Sequence, residues 1–120
     1  MEKVSHEAVT YGCHMVAVNS VQSKLCSTLL AGTNVHTGAA ISFPLGQTSI
    51  ATKVFETKDA LANGANEIDY VVNLTEVKAG NWDYIASEMS QIVRVCREAG
   101  VPSKVIFENC LLTDDEKVAL

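Results

Sequence analysis

An aspartate stands inside a strand-forming run, EIDYVVN, spanning Glu67 to Asn73. A carboxylate taken from water into such a run needs a partner, a shifted pKa or a chemical task. Period-two alternation sets Asp69, Val71 and Asn73 on one face and Ile68, Tyr70 and Val72 on the other. A second run, SKVIF at 103–107, holds Lys104, which shares a face with Ile106 and Glu108. If the two strands are neighbours, Asp69 and Lys104 face one interior. That pair could move protons. It could equally be a buried ion pair that only satisfies itself, and the two readings weigh the same on these residues.

Asn19 and Ser42 also fall where strands end. In parallel α/β sheets ligands collect at the carboxyl ends of the strands, so both join the candidate set. Other residues carry weaker signals. His6, His14 and His36 share no ligand spacing and read as structural or surface groups. Cys110 has no histidine beside it and reads as a packed thiol. Gly46 belongs to no phosphate-loop pattern. Cys13, Cys26, Cys96 and Cys110 form no C-x-x-C pair and suit free thiols in a reducing cytoplasm. No histidine stands at zinc-finger spacing from these cysteines.

These side chains must be held by an alternating set of elements. A helix over 2–11 carries Val4, Ala8 and Tyr11 on one stripe. Strand HMVAV at 14–18 follows, and Ser20 can cap a helix whose stripe is Val21, Leu25 and Leu29. Next come strand TGAAISF at 37–43 and a helix over 49–63 with Ile50, Val54 and Leu61 inward. After EIDYVVN there is a helical turn over 74–80. A helix opened by Asn81 or Asp83 then presents Ile85, Met89, Ile92, Val93 and Cys96. Strand SKVIF is last, and Thr113-x-x-Glu116 is a capping box that opens a final helix. Strands alternating with helices predict a parallel α/β sheet covered by helices.

One hundred and twenty residues suffice for one small domain. With 48% hydrophobic and 19% charged residues the chain is expected to fold. A net charge of −5 argues against nucleic acid or an anionic membrane surface as partner. No apolar run approaches the ~20 residues of a membrane span, and MEKVSHE is not a signal peptide. The chain opens in a helix with no strand before it and closes inside a helix, so a domain incomplete at both ends is expected.

Five segments resemble deoxyribose-phosphate aldolase: VAVN at 16–19, FPLG at 43–46, KVFETKDALANGANEIDYVVN at 53–73, KAGNWDYI at 78–85 and KVIFENCLLTDDEK at 104–117. The resemblance runs nearly end to end. It implies a (β/α)8 TIM barrel, of which residues 1–120 make a partial domain matching strands two to five. It also implies a cytoplasmic Schiff-base lyase that needs no metal or organic cofactor and cleaves 2-deoxy-D-ribose 5-phosphate to D-glyceraldehyde 3-phosphate and acetaldehyde in deoxyribonucleotide catabolism. The resemblance makes Asp69 a proton donor and acceptor, and places Lys104 and Asn19 in the substrate pocket. The Schiff-base lysine and the phosphate-binding strands have no counterpart in this sequence. Ser20, Ser42 and Asn109 depart from residues common in the family and touch only pocket shape.

Two assemblies follow from that resemblance. One is an aldolase fragment, active only with the rest of its barrel and open to homo-oligomerisation. The other is a non-catalytic half-barrel that assembles with itself or with a separate C-terminal piece. A flavodoxin-like binding domain fits less well, because no strand here leads into a glycine-rich phosphate loop. In either assembly Lys104 is the one lysine expected on an inward strand face, beside Asp69 and Glu108. Lys3, Lys24, Lys53, Lys58, Lys78 and Lys117 are expected in solvent.

Overall fold

A computed structural model describes all residues from Met1 to Leu120. Its elements run α1 (Glu2–Thr10), β1 (Met15–Asn19), α2 (Ser23–Leu29), β2 (His36–Ile41), α3 (Ile50–Ala62), β3 (Glu67–Val71), α4 (Leu74–Lys78), α5 (Trp82–Glu98), β4 (Ser103–Ile106) and α6 (Asp114–Ala119). All four strands are parallel and lie in chain order, β1-β2-β3-β4. Right-handed crossovers that always advance the same way keep every helix on one side of the sheet, whereas a doubly wound sheet reverses its order midway.

Burial follows the same asymmetry. Val16 and Val18 of β1 pack with Ala8, Cys26, Leu30 and Val35, while their neighbours Ala17 and Asn19 stay exposed. Ala39 and Ile41 of β2 meet Ile68 and Tyr70 of β3 and Ile92 and Cys96 of α5 in the largest apolar cluster. One sheet face is thus sealed by helices and the other is concave and open. Ile41 belongs to the sealed side.

Several helix stripes differ from the sequence reading, for one reason: small and polar residues sit against the sheet. α1 buries Ser5 and Ala8, leaving Tyr11 79% exposed. α2 buries Ser23 and Cys26 in place of Val21 and Leu25. Ser20 caps nothing; it opens a 3-10 turn and its hydroxyl donates to Glu56 Oε1 at 2.7 Å. α3 buries Lys53, Thr57 and Ala60, and α5 buries Glu88 and Val95 beside Ile85, Ile92 and Cys96.

Lys53 is the largest departure from expectation. Its ammonium donates to Glu88 Oε2 at 2.6 Å and to the Val71 carbonyl at 2.8 Å, with both side chains 0% exposed. Glu88 Oε1 accepts the Asn73 N–H at 3.1 Å. This network clamps α3 and α5 to the carboxyl end of β3. Burial pushes the Lys53 amine down and the Glu88 carboxyl up, each opposed by the partner's charge. The capping box forms as expected: Thr113 N–H donates to Glu116 Oε2 at 2.7 Å, and Glu116 N–H to the Thr113 hydroxyl at 3.3 Å.

Candidate functional site

Parallel pairing sets Asn19 opposite Ala40, Ala40 opposite Asp69, and Asp69 opposite Lys104. Equal register in a parallel sheet puts opposed side chains on the same face. The three residues chosen from sequence therefore form one row across the concave face. Ala40 keeps the middle of that row low.

At the carboxyl ends of the strands this row opens into a cleft of about 260 Å³, lined by Ala17, Asn19, Ala40, Phe43, Asp69 and Ile106. Asn19 and Asp69 border it together. Lys104 leans the other way, toward the amino ends, where its ammonium lies 2.6 Å from Glu67 Oε1, 3.1 Å from Asp69 Oδ1 and 3.4 Å from Met15 Sδ. Asp69 is the hinge between the cleft and the ion cluster.

Glu67 is the residue that the sequence reading missed. It precedes Asp69 by two, so the alternation that faces Asp69 inward also faces Glu67 inward. Only 4% of its side chain is exposed, and it takes the partner role expected of Glu108. Burial favours the neutral acid, but hydrogen bonds from Lys104 and His36 outweigh it and hold the Glu67 carboxyl below the usual carboxylate range. The same contacts, with those of Asp69, outweigh burial at Lys104 and raise its ammonium above the usual lysine value.

Glu108 lies outside this row because β4 ends at Ile106. The chain then turns through a left-handed residue, Glu108 at φ 56°, which breaks the alternation. The Glu108 carboxylate instead accepts from Cys110 Sγ at 3.3 Å, and that thiol is exposed rather than packed. Asn73 also leaves the concave face, since β3 ends at Val71 and the Asn73 side chain caps α4 by accepting from the Thr75 and Glu76 N–H groups. Ser42, at φ 52°, bonds Thr48 within its loop at 2.7 Å. In that loop a Cβ on Gly46 would run into the Val72 carbonyl, so the turn after β2 can seat directly on the end of β3.

His14 and His36, read as unrelated, converge. His14 Nε2 lies 3.1 Å and His36 Nδ1 2.9 Å from Glu67 Oε2, and the two rings are 4.6 Å apart. A main-chain bond from His36 N–H to the His14 carbonyl, at 2.8 Å, sets them side by side. The concave face therefore has two ends of different chemistry. The carboxyl end offers a carboxylate and an amide over an apolar floor, and the amino end holds two imidazoles, a carboxylate and an ammonium. No helix of the chain is long and apolar enough to cross a membrane.

The family model of DeoC/LacD family aldolases matches residues 1–117. The deoxyribose-phosphate aldolase of Lactobacillus acidophilus is 60% identical over 116 residues, which are 97% of this chain and 49% of that protein. A solved structure from Coccidioides immitis, described as a deoxyribose-phosphate aldolase, superposes with TM-score 0.92 at 30% identity over 98% of this chain and 46% of that one. The tetrameric deoxyribose phosphate aldolase of Aeropyrum pernix gives TM-score 0.88 at 29% identity, over 99% of this chain and 49% of that one. The chain spans about half the length of the curated relatives it matches. Its four parallel strands and outer helices match part of an aldolase TIM barrel.

Proposed function

We propose, since this chain belongs to the DeoC/LacD aldolase family, that residues 1–120 form a partial barrel domain supplying four strands of a cytoplasmic deoxyribose-phosphate aldolase. The reaction is cleavage of 2-deoxy-D-ribose 5-phosphate to D-glyceraldehyde 3-phosphate and acetaldehyde, in deoxyribonucleotide catabolism. The observation that carries this reading is the row of Asn19, Asp69 and Lys104 on the concave face, with Asn19 and Asp69 bordering one cleft.

A lysine imine acts as the electron sink for this cleavage. The bond between the second and third substrate carbons breaks while the third carbon's hydroxyl gives up its proton. The enamine that remains takes a proton on carbon. Asp69 is the proton donor and acceptor in this scheme, placed in the cleft and 3.1 Å from the Lys104 ammonium. Lys104 supplies positive charge rather than an attacking amine, because two carboxylates hold it protonated. Asn19 can bond a substrate hydroxyl. The imine lysine and the phosphate contacts come from barrel residues outside these 120, and neither a metal nor an organic cofactor takes part. The partner is a phosphosugar, not nucleic acid or membrane, and the completed barrel can assemble as a homo-oligomer.

A second reading, a non-catalytic half-barrel that assembles with itself or with a separate C-terminal piece, draws on one observation. β1 and β4 each pair on one side only, so both edges of the sheet can accept another strand. Mixing decides between the two readings. The chain is co-expressed with the complementary half of the Lactobacillus acidophilus relative, and release of glyceraldehyde 3-phosphate is followed. Cleavage by the complex but by neither piece supports the aldolase reading. A stable complex without cleavage sinks it and leaves the half-barrel.

A further inference from the structure

The amino end of the concave face holds a donor set whose two imidazoles have no part in the aldolase reading. His14, His36 and Glu67 each offer one ligand atom within 4.8 Å of the others, and Glu67 Oε2 lies 3.1 Å from His14 Nε2 and 2.9 Å from His36 Nδ1. Ligand atoms about 2.0–2.1 Å from a tetrahedral zinc ion stand about 3.3 Å apart, close to the two measured nitrogen–oxygen spacings. Three features favour metal over a simple hydrogen-bond cluster.

First, the donors come from three elements fixed by strand pairing: the turn into β1, the start of β2 and the start of β3. Their spacing is therefore set by the sheet and not by long flexible stems. Second, Lys104 occupies Glu67 Oε1, so Oε2 is left to face both imidazoles as a single anionic ligand. Third, the donor set is open to solvent on one side, since 71% of the His14 side chain is exposed. His14 also lines a depression of about 580 Å³ with Cys13, Gly32, Thr33 and Asn34. Gly38, opposite Glu67 in the register, carries no side chain, and a Cβ there would come 2.9 Å from Met15 Sδ.

We propose that His14, His36 and Glu67 form a divalent transition-metal site, and that zinc is the ion it suits best. Two imidazoles and one carboxylate match zinc's preference, with water completing the fourth position. On binding, each imidazole presents a lone pair where it now faces Oε2, and its remaining proton moves to the other ring nitrogen. The Lys104 ammonium stays on Oε1 as a positioning group for the carboxylate. The site lies at the opposite end of the strands from the Asp69 cleft, so metal there would brace the strand starts rather than join the chemistry. It stands or falls independently of the aldolase reading.

Zinc chloride titrated into chelator-treated chain, followed by isothermal calorimetry, tests this directly. One zinc per chain is expected. His14→Gln and His36→Gln should each weaken binding at least ~10-fold, and Glu67→Gln should do the same. His6→Gln, Cys13→Ser and Cys110→Ser should leave binding unchanged, since none of these residues belongs to the triad. His14 has 71% of its side chain exposed, so its variant keeps the fold even if Glu67→Gln does not, and circular dichroism verifies this. Absence of saturable binding would overturn the proposal. So would affinity that survives His14→Gln, or affinity that follows Cys13 or Cys110.

Discussion

Lys104 sits closer to Glu67 than to Asp69, 2.6 Å against 3.1 Å, and so is anchored on the carboxylate that lies away from the cleft. The anchoring makes the cluster a pH-dependent element of stability. Glu67 is held below its unfolded pKa, so the folded state gives up that proton more readily. The resulting stability is present above the unfolded value of about 4.3 and is lost as pH falls through the folded value. Lys104 is raised, so its share is full below about 10.4 and is lost as pH rises through its folded value. Thermal melts between pH 3 and 7 should show the acid loss, and Glu67→Gln should flatten it. An unchanged acid slope in a folded Gln variant would contradict this account of the cluster.

Asp69→Asn keeps the shape and removes the charge. In the completed barrel we expect cleavage to fall by roughly 10²-fold or more, the usual scale for a positioned acid–base group. Near-normal turnover would demote Asp69 to a member of the Lys104 ion cluster.

The buried Lys53–Glu88 pair calls for a double-mutant test. Lys53→Met strands a carboxylate at 0% exposure and should cost about 3–5 kcal/mol at neutral pH, by denaturant unfolding. Glu88 already has a raised pKa, and without the ammonium beside it the folded state should bind a proton still more readily. Lowering the pH through that folded value should therefore return stability to the variant. Adding Glu88→Gln keeps an acceptor for the Asn73 N–H and removes the stranded charge, so the double variant should be more stable than Lys53→Met alone. A double variant as weak as the sum of its singles would mean that packing, not charge, dominates there.

Much of this architecture is readable from residue order. The four strands and the capping box follow from alternation and spacing, because a strand fixes its faces by counting in twos. Asp69 and Lys104 meet because β3 and β4 are neighbours, the condition on which the sequence reading placed them together. The misses have physical causes. Glu67 obeys the same count as Asp69 but stands first in its strand, where a charged residue reads as solvated. Glu108 fails the count because one left-handed residue ends it. His14 and His36 meet only through β1–β2 register, which neither strand specifies alone. Lys53 looks solvated on a helix whose apolar residues suggest another face, and the groups that offset the cost of its burial, Glu88 and the Val71 carbonyl, lie 35 and 18 residues away.

The open concave face and both sheet edges bear on solution behaviour. Tyr11, Val21 and Phe55 are 79%, 81% and 72% exposed, and β1 and β4 each carry an unpaired edge. Exposed edges and apolar side chains favour association. Size-exclusion chromatography of the 120-residue chain should show dimers or larger species. A sharp monomer peak with cooperative unfolding would show that the edges are protected in some other way.

The central claim is that this chain contributes the acid–base and pocket residues of the aldolase but not its imine lysine. Acetaldehyde with borohydride, followed by peptide mapping, tests this most directly. The chain alone should show only slow labelling without site preference, since Lys104 is held protonated by Glu67 and Asp69, and Lys53 is sealed in the core. With the complementary half-barrel present, one lysine of that partner should label quickly and saturably. Fast, saturable labelling of Lys104 in the isolated chain would contradict the account and make these four strands a catalyst in their own right.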